Sequence, residues 1–298
     1  MSRPSTDTGT PRRPRVWLIT GASSGFGLEI TKLALRNGDI AIATYRSSSE
    51  PPILASLKSS KLLLLRCDVT SSTDVNQVFS TAEKTFGRID VVFNNAGITL
   101  LGEIEGTPED KAREMFDVNF WGMSHISREA VRVFRDVNRV KGGRLLNVSS
   151  GAGVVPNAGI GYYSASKHAL EGFTEALAKE MDPAWNIKIT ILEPGAFKTR
   201  AHTDNTTSFP SHPAYSENPN LASNQVRQWF SDRSGITGDP VLAAKRIYEF
   251  VEADEAEIPM RLQLGDDSWY GIKAKLEGVI QEQQKFEKWS KGLALSHK

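Results

Sequence analysis

The sequence predicts an α/β fold in which a parallel sheet of about seven strands lies between two layers of helices. Seven short, nearly continuous apolar runs recur along the chain, as expected for strands covered on both faces. The segments between them have helical periodicity, and no internal repeat interrupts the alternation. These observations indicate a doubly wound, three-layer sandwich of the Rossmann type. In chain order the runs are RVWLIT, DIAIATY, KLLLLRCDV, IDVVFNNAG, GRLLNVSS, IKITILEPG and MRLQLG.

The helices between these runs are predicted from the spacing of their apolar residues. FGLEITKLALRNG places Phe26, Ile30, Leu33 and Ala34 on one helical face, and Gly38 ends the helix. A later segment has the same spacing at Val75, Val78, Phe79 and Ala82. Near the C terminus, DPVLAAKRIYEFVE predicts a helix that begins at Asp-Pro, and SWYGIKAKLEGVIQEQQKFEKW predicts a final helix.

The alternation stops near residue 200. The segment TRAHTDNTTSFPSHPAYSENPNLASN is rich in Ser, Thr, Asn and Pro and shows no period. A loop of this length in a compact domain is typical of a functional lid or a disordered insertion, and we predict a substrate lid over about 197–237. Residues 1–14 are polar and lack the apolar core of a secretion signal, which predicts a disordered tail before a single catalytic domain over 15–298.

Composition disfavours several classes of function. The chain has 298 residues, of which 39% are hydrophobic and 24% charged, and its formal net charge is +1. Opposite charges are interspersed, so we expect neither a nucleic-acid surface nor a membrane anchor, and no apolar run is long enough to span a bilayer. The single cysteine, Cys67, excludes an internal disulfide, and no Cys/His cluster has metal-ligand spacing. We therefore predict no metal and a reducing, cytoplasmic location.

Glycines between the first strand and the first helix predict a dinucleotide site. Gly21, Gly25 and Gly27 permit a tight turn and the close approach of a pyrophosphate, and the helix N-terminus that follows offers free N–H groups. The spacing differs from G-x-G-x-x-G, but the position in the first βα unit supports the same function. The other residues of this segment expected at the cofactor are Ser23, Ser24 and Phe26.

The same segment also satisfies G-x-S-x-G, with Ser23 in the position of an α/β-hydrolase nucleophile. That reading requires an acid and a later histidine in a triad. None of the five histidines of the chain stands in a recognisable context, and a nucleophile after the first strand is unusual. A serine hydrolase is therefore the less favoured alternative.

The end of the second strand predicts which nicotinamide cofactor is bound. A NAD site usually has an Asp or Glu about 20 residues past the glycines, where it binds the ribose 2′-OH. Tyr45 occupies that position here, Arg46 follows, and no carboxylate is present. A guanidinium binds a 2′-phosphate in a bidentate manner, and Ser23, Ser47 and Ser48 add hydroxyl donors, so we predict NADP(H). The alternative is that Arg46 is a solvated surface residue.

Two adjacent tyrosines precede a lysine in GYYSASK. Residues four apart on a helix share a face, so Tyr163 lies beside Lys167, whereas Tyr162 lies over Ser166. Tyr163 is therefore the candidate for acid–base chemistry, and Tyr162 is left as packing or as a wall of the substrate pocket. The helix itself is predicted from an apolar stripe at Ala165, Ala169, Leu170, Phe173 and Leu177.

An ordered set of motifs accompanies this pair over about residues 15–265. The motifs are Thr20-Gly21-x-x-x-Gly25-x-Gly27, Asp68-Val69, Asn94-Asn95-Ala96-Gly97, Asn119, Ser150, Tyr163-x-x-x-Lys167 and Pro194-Gly195. With them the chain resembles a short-chain dehydrogenase/reductase, of the NADP-dependent carbonyl reductase or hydroxysteroid dehydrogenase type. In that family the serine lies thirteen positions before the tyrosine, a spacing that Ser150 meets and Ser149 does not.

The resemblance implies that hydride passes between NADP(H) and a carbonyl or secondary alcohol. Tyr163 would exchange the proton with the substrate oxygen, and Ser150 would orient the carbonyl. Lys167 would lower the pKa of Tyr163 and bind the nicotinamide ribose, and Asn119 would hold a water that links Lys167 to solvent. An epimerase or a dehydratase on the same fold is an alternative, as is an inactive cofactor-sensing regulator, which the intact Asn–Ser–Tyr–Lys set disfavours.

The resemblance also implies contacts to the adenine, to the ribose and to the nicotinamide carboxamide. In that order the residues are Asp68 and Val69; Asn95, Ala96 and Gly97; and Pro194, Gly195, Phe197 and Thr199. Family members form homodimers or homotetramers through the helices that contain residues 110–135 and 162–181, so a homo-oligomer is expected. Aromatic residues in the lid favour a bulky apolar substrate such as a steroid, retinoid, terpenoid or polyketide. They are Phe197, His202, Phe209, Tyr215, Trp229 and Phe230.

Overall fold

A computed structural model describes residues 12–202, 204–233, 235–253 and 257–294. Its strands are β1 (Val16–Ile19), β2 (Ile40–Tyr45), β3 (Leu62–Arg66), β4 (Val91–Asn94), β5 (Thr99–Leu101), β6 (Gly143–Val148), β7 (Ile187–Pro194), β8 (Thr206–Ser208) and β9 (Arg261–Leu264). Its helices are α1 (Gly25–Arg36), α2 (Pro52–Ala55), α3 (Ser72–Phe86), α4 (Glu109–Phe116), α5 (Met123–Arg132), α6 (Gly161–Lys179), α7 (Pro213–Ser216), α8 (Ala222–Asp232), α9 (Pro240–Glu252) and α10 (Asp266–Lys285). None of the helices in these ranges is both long enough and apolar enough to cross a bilayer.

Seven strands form one parallel sheet in the order β3-β2-β1-β4-β6-β7-β9. The strand order reverses between β1 and β4, where Leu18 pairs with Ile42 on one side and with Val92 on the other. In open sheets of this kind, ligands bind outside the carboxyl ends of the strands at the point of reversal. The predicted doubly wound, seven-stranded α/β fold is confirmed.

The sheet is covered on both faces by two apolar clusters. In β1, Trp17 and Ile19 pack into one cluster, whereas Val16 and Leu18 pack into the other, and all four side chains are fully buried. Successive side chains of a strand point to opposite faces, so a strand between two helical layers has to be apolar throughout. This is why the strands appear in the sequence as continuous apolar runs.

The segment after residue 200 contains regular structure that the sequence did not indicate. Strand β8 pairs in parallel with β5 as a separate two-stranded sheet, with Leu100 opposite Thr207. Helix α8 packs Phe230 in a small apolar cluster with Leu101 and Ile160. These elements are stabilised by contacts with residues about 70 to 130 positions earlier, so no local periodicity signals them.

Helix α6 buries a different face from the one predicted. In the predicted apolar stripe Ala165 is exposed, and Phe173 and Leu177 are only half-buried. The most deeply buried positions of the helix are Ser164, Ser166, Lys167, Leu170, Glu171 and Thr174, which are mostly polar. The difference arises because the side of the helix that carries Lys167 faces the sheet. Polar groups at the end of β6 and directly after it form hydrogen bonds with these side chains.

The predicted tail, residues 1–14, lies mostly outside the described residues. Arg12, where the description begins, forms an ion pair with the buried carboxylate of Asp39 at 2.9 Å. Asp39 also accepts hydrogen bonds from Trp17 Nε1 at 3.1 Å and from the Tyr248 hydroxyl at 2.7 Å. The chain is therefore in contact with the domain from Arg12 onward.

Candidate active site

A cavity of about 1160 Å³ lies at the carboxyl ends of the central strands, next to the reversal in strand order. Every predicted cofactor-binding residue except Gly27 and Ser48 lines it, as do Ser150, Tyr163 and Lys167 of the predicted catalytic set. Asn119 does not line it. The volume slightly exceeds the range typical of a site for one small molecule, and it suits a dinucleotide together with a second ligand.

The glycine segment forms a tight turn between β1 and α1. Gly21 and Gly25 have φ values of +64° and +53°, a region that side-chain-bearing residues rarely adopt. A Cβ on Gly27 would lie 2.5 Å from the carbonyl oxygen of Gly21, so a larger residue at position 27 would displace the turn. That position explains why Gly27 is needed although it does not line the cavity.

The N-terminus of α1 presents free donors to the cavity. Ser24 is the N-cap residue, its backbone is extended, and its side chain makes no capping hydrogen bond. The first turn of α1 contains no acidic residue. Uncapped N–H groups at the positive end of a helix form an anion site, so this segment fits the diphosphate of a dinucleotide.

The end of β2 provides a free cation at the rim of the cavity. Arg46 is exposed and lines the cavity, and none of the hydrogen bonds or ion pairs among the described residues involves it. Of the carboxylates in the described ranges, only Asp68 and Asp267 line the cavity. Ser47 donates its hydroxyl hydrogen to the carbonyl oxygen of Ser49 at 2.6 Å, so its oxygen can act only as an acceptor in this arrangement.

Thr20, directly after β1, fixes the segment that follows β4. Thr20 belongs to the glycine motif but was not among the predicted cofactor contacts. The Thr20 hydroxyl accepts hydrogen bonds from the backbone N–H groups of Asn95 and Ala96, at 2.8 and 3.0 Å. Asn95 Nδ2 donates in return to the carbonyl oxygen of Thr20 at 2.9 Å. Thr20 is fully buried and therefore orients the wall of the cavity without touching its contents.

The segment after β7 closes the opposite end of the cavity. Phe197 packs edge-on against Phe26, with ring centroids 5.1 Å apart. Thr199 lies over the glycine turn, 3.3 Å from the place that a Cβ of Gly25 would occupy. These two contacts bring the predicted diphosphate and carboxamide segments together.

Asp267 of α10 is a cavity residue that the sequence analysis missed. Its carboxylate accepts a hydrogen bond from the backbone N–H of Ala196 at 2.7 Å and fills the space in front of Gly195. The sequence offers one signal for this residue, the pair of aspartates at the start of α10. That pair alone does not indicate a cavity residue, because only the fold brings α10 to the end of β7.

Ser150, Tyr163 and Lys167 all line the cavity. The Ser150 hydroxyl is near enough to Tyr163 to lower the pKa of its phenol. Lys167 Nζ lies 5.9 Å from the centroid of the Tyr163 ring and donates to the carbonyl oxygen of Val148 at 2.9 Å. Tyr162 is not among the residues that line the cavity.

Burial dominates the ionisation of the tyrosine and the lysine. It raises the pKa of Tyr163 above its usual value, and the hydrogen bond with Ser150 opposes this rise. Burial lowers the pKa of Lys167 to about 8, and the charge of Glu171 opposes this fall. The family resemblance implied that Lys167 lowers the pKa of Tyr163. Among the effects of the protein's own groups, burial is the largest, and it raises that pKa.

Asn119 stands in a short π-helical segment between α4 and α5, a feature often found at functional sites. Its Oδ1 accepts from the N–H of Ile98 at 2.9 Å, and its Nδ2 donates to the carbonyl oxygen of Ile98 at 2.9 Å and to the Ser166 hydroxyl at 3.1 Å. The side-chain amide is thus committed to joining the chain after β4 to α6. A water held by Asn119 has to bind its main chain or the second lone pair of Oδ1.

The hydrolase alternative finds no base among the histidine side chains that the structure describes. His125, His168 and His212 do not line the cavity, and none of them is hydrogen-bonded to Ser23. The side chain of His202 and the whole of His297 lie outside the description. His168 Nδ1 lies 2.9 Å from the carbonyl oxygen of Ser164, and His212 caps α7. The geometry around Ser23 therefore supports the dinucleotide reading of the glycine segment.

Comparison with known proteins agrees with the fold. A family profile described as short chain dehydrogenase matches residues 15–208. The chain belongs to this family. It is 36% identical over 266 residues to an uncharacterized oxidoreductase of Schizosaccharomyces pombe, a match that covers 89% of this chain and 87% of the other.

Two further comparisons extend this result. This short-chain dehydrogenase is 37% identical over 193 residues to a 3-ketodihydrosphingosine reductase of Bacteroides thetaiotaomicron, covering 65% of this chain and 67% of that one. A solved short-chain dehydrogenase from Streptomyces avermitilis superimposes with a TM-score of 0.84 at 34% identity, covering 95% of this chain and all of the other. More distant solved structures with this fold contain NAD in one case and NADP in another.

Proposed function

We propose that this oxidoreductase transfers a hydride between NADP(H) and a carbonyl or secondary alcohol, and that in cells it reduces a bulky apolar ketone or aldehyde. The observation that carries the proposal is the convergence of Ser150, Tyr163 and Lys167 on one cavity whose other end has a dinucleotide turn. An acid, a hydrogen-bond donor and a cation placed together at a cofactor site suit proton transfer coupled to hydride transfer.

The protein's own groups supply the proton and the orientation. Tyr163 donates its phenolic proton to the carbonyl oxygen during reduction, and a raised pKa keeps that proton in place at neutral pH. Ser150 holds the same oxygen by a hydrogen bond, and the Lys167 ammonium stabilises the phenolate that remains. The nicotinamide, when bound, supplies or accepts the hydride.

Preference for NADP(H) rests on the end of β2. Arg46 is exposed at the cavity and forms no ion pair with another described residue. A guanidinium in this position is suited to bind a 2′-phosphate through two hydrogen bonds. A carboxylate that would bind a ribose 2′-OH and repel a phosphate is absent from the positions directly after β2.

The substrate side of the cavity is apolar and lies under the lid segment. Tyr163 packs against the cluster that contains Ile160 and Phe230, together with Val226 and Trp229 of α8. These side chains surround the reacting hydroxyl with apolar surface, which favours a bulky apolar carbonyl compound. The similar Bacteroides protein is named for a ketone of this kind, which is consistent with the proposed substrate class.

We further propose that the protein acts in the cytoplasm as a homodimer or homotetramer. Trp121 is 54% exposed, Phe120 packs edge-on against it, and Phe173 of α6 packs against Phe120. Exposed aromatic residues grouped on neighbouring helices are typical of a protein interface.

The function is tested by following NADPH consumption with a panel of carbonyl compounds. The panel contains a ketosteroid, a retinal, a terpenoid ketone and a long-chain 3-keto compound, each measured with NADPH and with NADH. We expect reduction of at least one bulky apolar member, faster with NADPH than with NADH. Tight NADPH binding without reduction of any member would contradict the proposed function, and faster reduction with NADH would contradict the cofactor assignment.

A further inference from the structure

A partly buried charge cluster lies next to Lys167 on the side away from Tyr163. Glu171 and Glu175 continue the ridge of α6 that carries Tyr163 and Lys167, each one turn farther along. Glu171 is 3% exposed, and carboxylates are rarely buried to this degree unless they are paired. The proposed mechanism assigns no function to this residue.

Arg261 of β9 holds the cluster together. Its guanidinium donates to Glu171, and it donates to Glu175 Oε1 at 2.9 and 2.7 Å. It also bonds Glu193 of β7, whose fully buried carboxylate accepts from Gln263 as well. Three carboxylates thus share one guanidinium, and the next cation along the ridge of α6 is the catalytic lysine.

Glu171 is joined to the segment that carries the catalytic serine. The hydroxyl of Ser149 donates to Glu171 Oε1 at 2.6 Å, and Lys167 Nζ donates to the carbonyl oxygen of Val148 at 2.9 Å. A Cβ on Gly153, in the turn that follows, would lie 2.2 Å from Glu171 Oε1. The end of β6 and the next turn are therefore fitted closely around this carboxylate.

We propose that Glu171, held by Arg261, is a positioning residue for the reaction: it fixes the segment before Ser150 and keeps the Lys167 side chain in its ammonium form. This inference rests on the proposed function of Tyr163 and Lys167. It assigns a function to a buried carboxylate that touches neither substrate nor cofactor.

The groups that face Lys167 come from three elements. Tyr163 and Glu171 share its helix, Val148 contributes a carbonyl oxygen from β6, and the sulfur of Met123 in α5 lies 3.9 Å from Nζ. Of these groups, Glu171 carries the negative charge that opposes the effect of burial on the pKa of Lys167. Behind Glu171 stand the charges of Arg261, Glu175 and Glu193.

The sign of the effect follows from these charges. Burial lowers the pKa of Lys167 to about 8, and removal of the Glu171 charge lowers it further. The ammonium is then lost closer to neutral pH. Because that ammonium stabilises the phenolate that forms when Tyr163 gives up its proton, its loss removes this stabilisation closer to neutral pH.

The test is a pH titration of the Lys167 ammonium by NMR of lysine labelled with ¹³C at Cε. The Lys167→Met variant, which lacks the signal, assigns it. In Glu171→Gln we expect the Lys167 titration, near pH 8 in the wild type, to move down by about one pH unit, the lower end of the effect of a nearby opposite charge. The amide oxygen still accepts from Ser149, and Arg261 keeps two carboxylate partners, so the variant isolates the charge.

Two control variants separate charge from packing. Glu175→Gln removes a carboxylate from the same guanidinium one turn farther from Lys167, and Ser149→Ala removes the hydrogen bond but keeps the charge. We expect neither to move the titration. If Ser149→Ala moves it as far as Glu171→Gln does, the effect is one of loop geometry and the charge assignment is wrong.

Glu171→Asp keeps the inference testable if Glu171→Gln does not fold. The aspartate side chain is one methylene shorter, which changes the distance of the carboxylate from Lys167 but keeps its charge. We therefore expect a smaller shift in the same direction. An unchanged titration in the folded variants would overturn the inference. Normal turnover by Tyr163→Phe would instead contradict the proposed function, so the two failures are distinguishable.

Discussion

Glu103 links the proposed lid, residues 197–237, to the rest of the protein, and its replacement by glutamine should loosen this segment. The Glu103 carboxylate is 3% exposed and binds Arg227 of α8 in a bidentate ion pair, at 2.9 and 2.7 Å. It also accepts from the backbone N–H of His212 at 3.2 Å. Arg227 donates in turn to the carbonyl oxygen of Phe209 at 2.6 Å, so one ion pair joins several parts of the lid.

The size of the effect follows from the ionisation of this carboxyl group. Hydrogen bonds from Arg227 lower the pKa of Glu103 from 4.5 to about 2. Each pH unit of this difference corresponds to about 1.4 kcal/mol, so ionisation of Glu103 stabilises the folded state by about 3 kcal/mol. Because the folded-state pKa is lowered, this stability is fully present above about pH 4.5 and is lost as the pH falls toward 2.

The assay is hydrogen exchange of the α8 amides at neutral pH, together with the urea unfolding curve. In Glu103→Gln we expect faster exchange of the α8 amides, because the Arg227 charge loses its partner. The free energy needed to open this segment should fall by about 3 kcal/mol. Glu109→Gln is the control, since Glu109 pairs with Arg113 in an exposed contact, and it should exchange like the wild type. Wild-type exchange of α8 in Glu103→Gln would refute this account of the lid.

Two further predictions concern the cofactor site. Arg46→Asp should lower the ratio of kcat/KM with NADPH to that with NADH by about 100-fold, since a hydrogen bond to a charged group contributes up to about 3 kcal/mol; an unchanged ratio would refute the NADP(H) assignment. Gly27→Ala should raise the Kd for NADPH at least about tenfold in a fluorescence titration, because its Cβ would lie 2.5 Å from the Gly21 carbonyl oxygen. Gly172→Ala, a helical glycine with open space around it, should bind NADPH normally, and equal Kd values for the two variants would contradict the function given to the glycine turn.

The parts of this structure that the sequence predicted are those encoded locally. Each strand of the main sheet is buried on both faces and so appears as an apolar run. The glycine turn depends on three residues within one βα unit. The pairing of Tyr163 with Lys167 follows from the pitch of a single helix. Even Glu171 continues that spacing, four residues past the lysine.

The parts that were missed depend on contacts between distant segments. Arg261 meets Glu171 from 90 residues away, and Asp267 meets Ala196 from 71 residues away. The apolar stripe predicted for α6 is not the face that the helix buries. Polar side chains on the buried face form hydrogen bonds with residues at the end of β6 and directly after it. Thr174, for example, accepts a hydrogen bond from Asn147 of β6 at 2.9 Å. Such pairings require the fold to be known first.

The central claim, that Tyr163 is the acid–base residue, is tested most directly by comparing two neighbouring tyrosines. NADPH binding and carbonyl reduction are measured for Tyr163→Phe and for Tyr162→Phe. We predict that Tyr163→Phe binds NADPH normally and loses about 100- to 10,000-fold in kcat, the usual contribution of general acid catalysis, whereas Tyr162→Phe keeps near-wild-type turnover. Normal turnover by Tyr163→Phe, or inactivity of Tyr162→Phe in its place, would contradict the account.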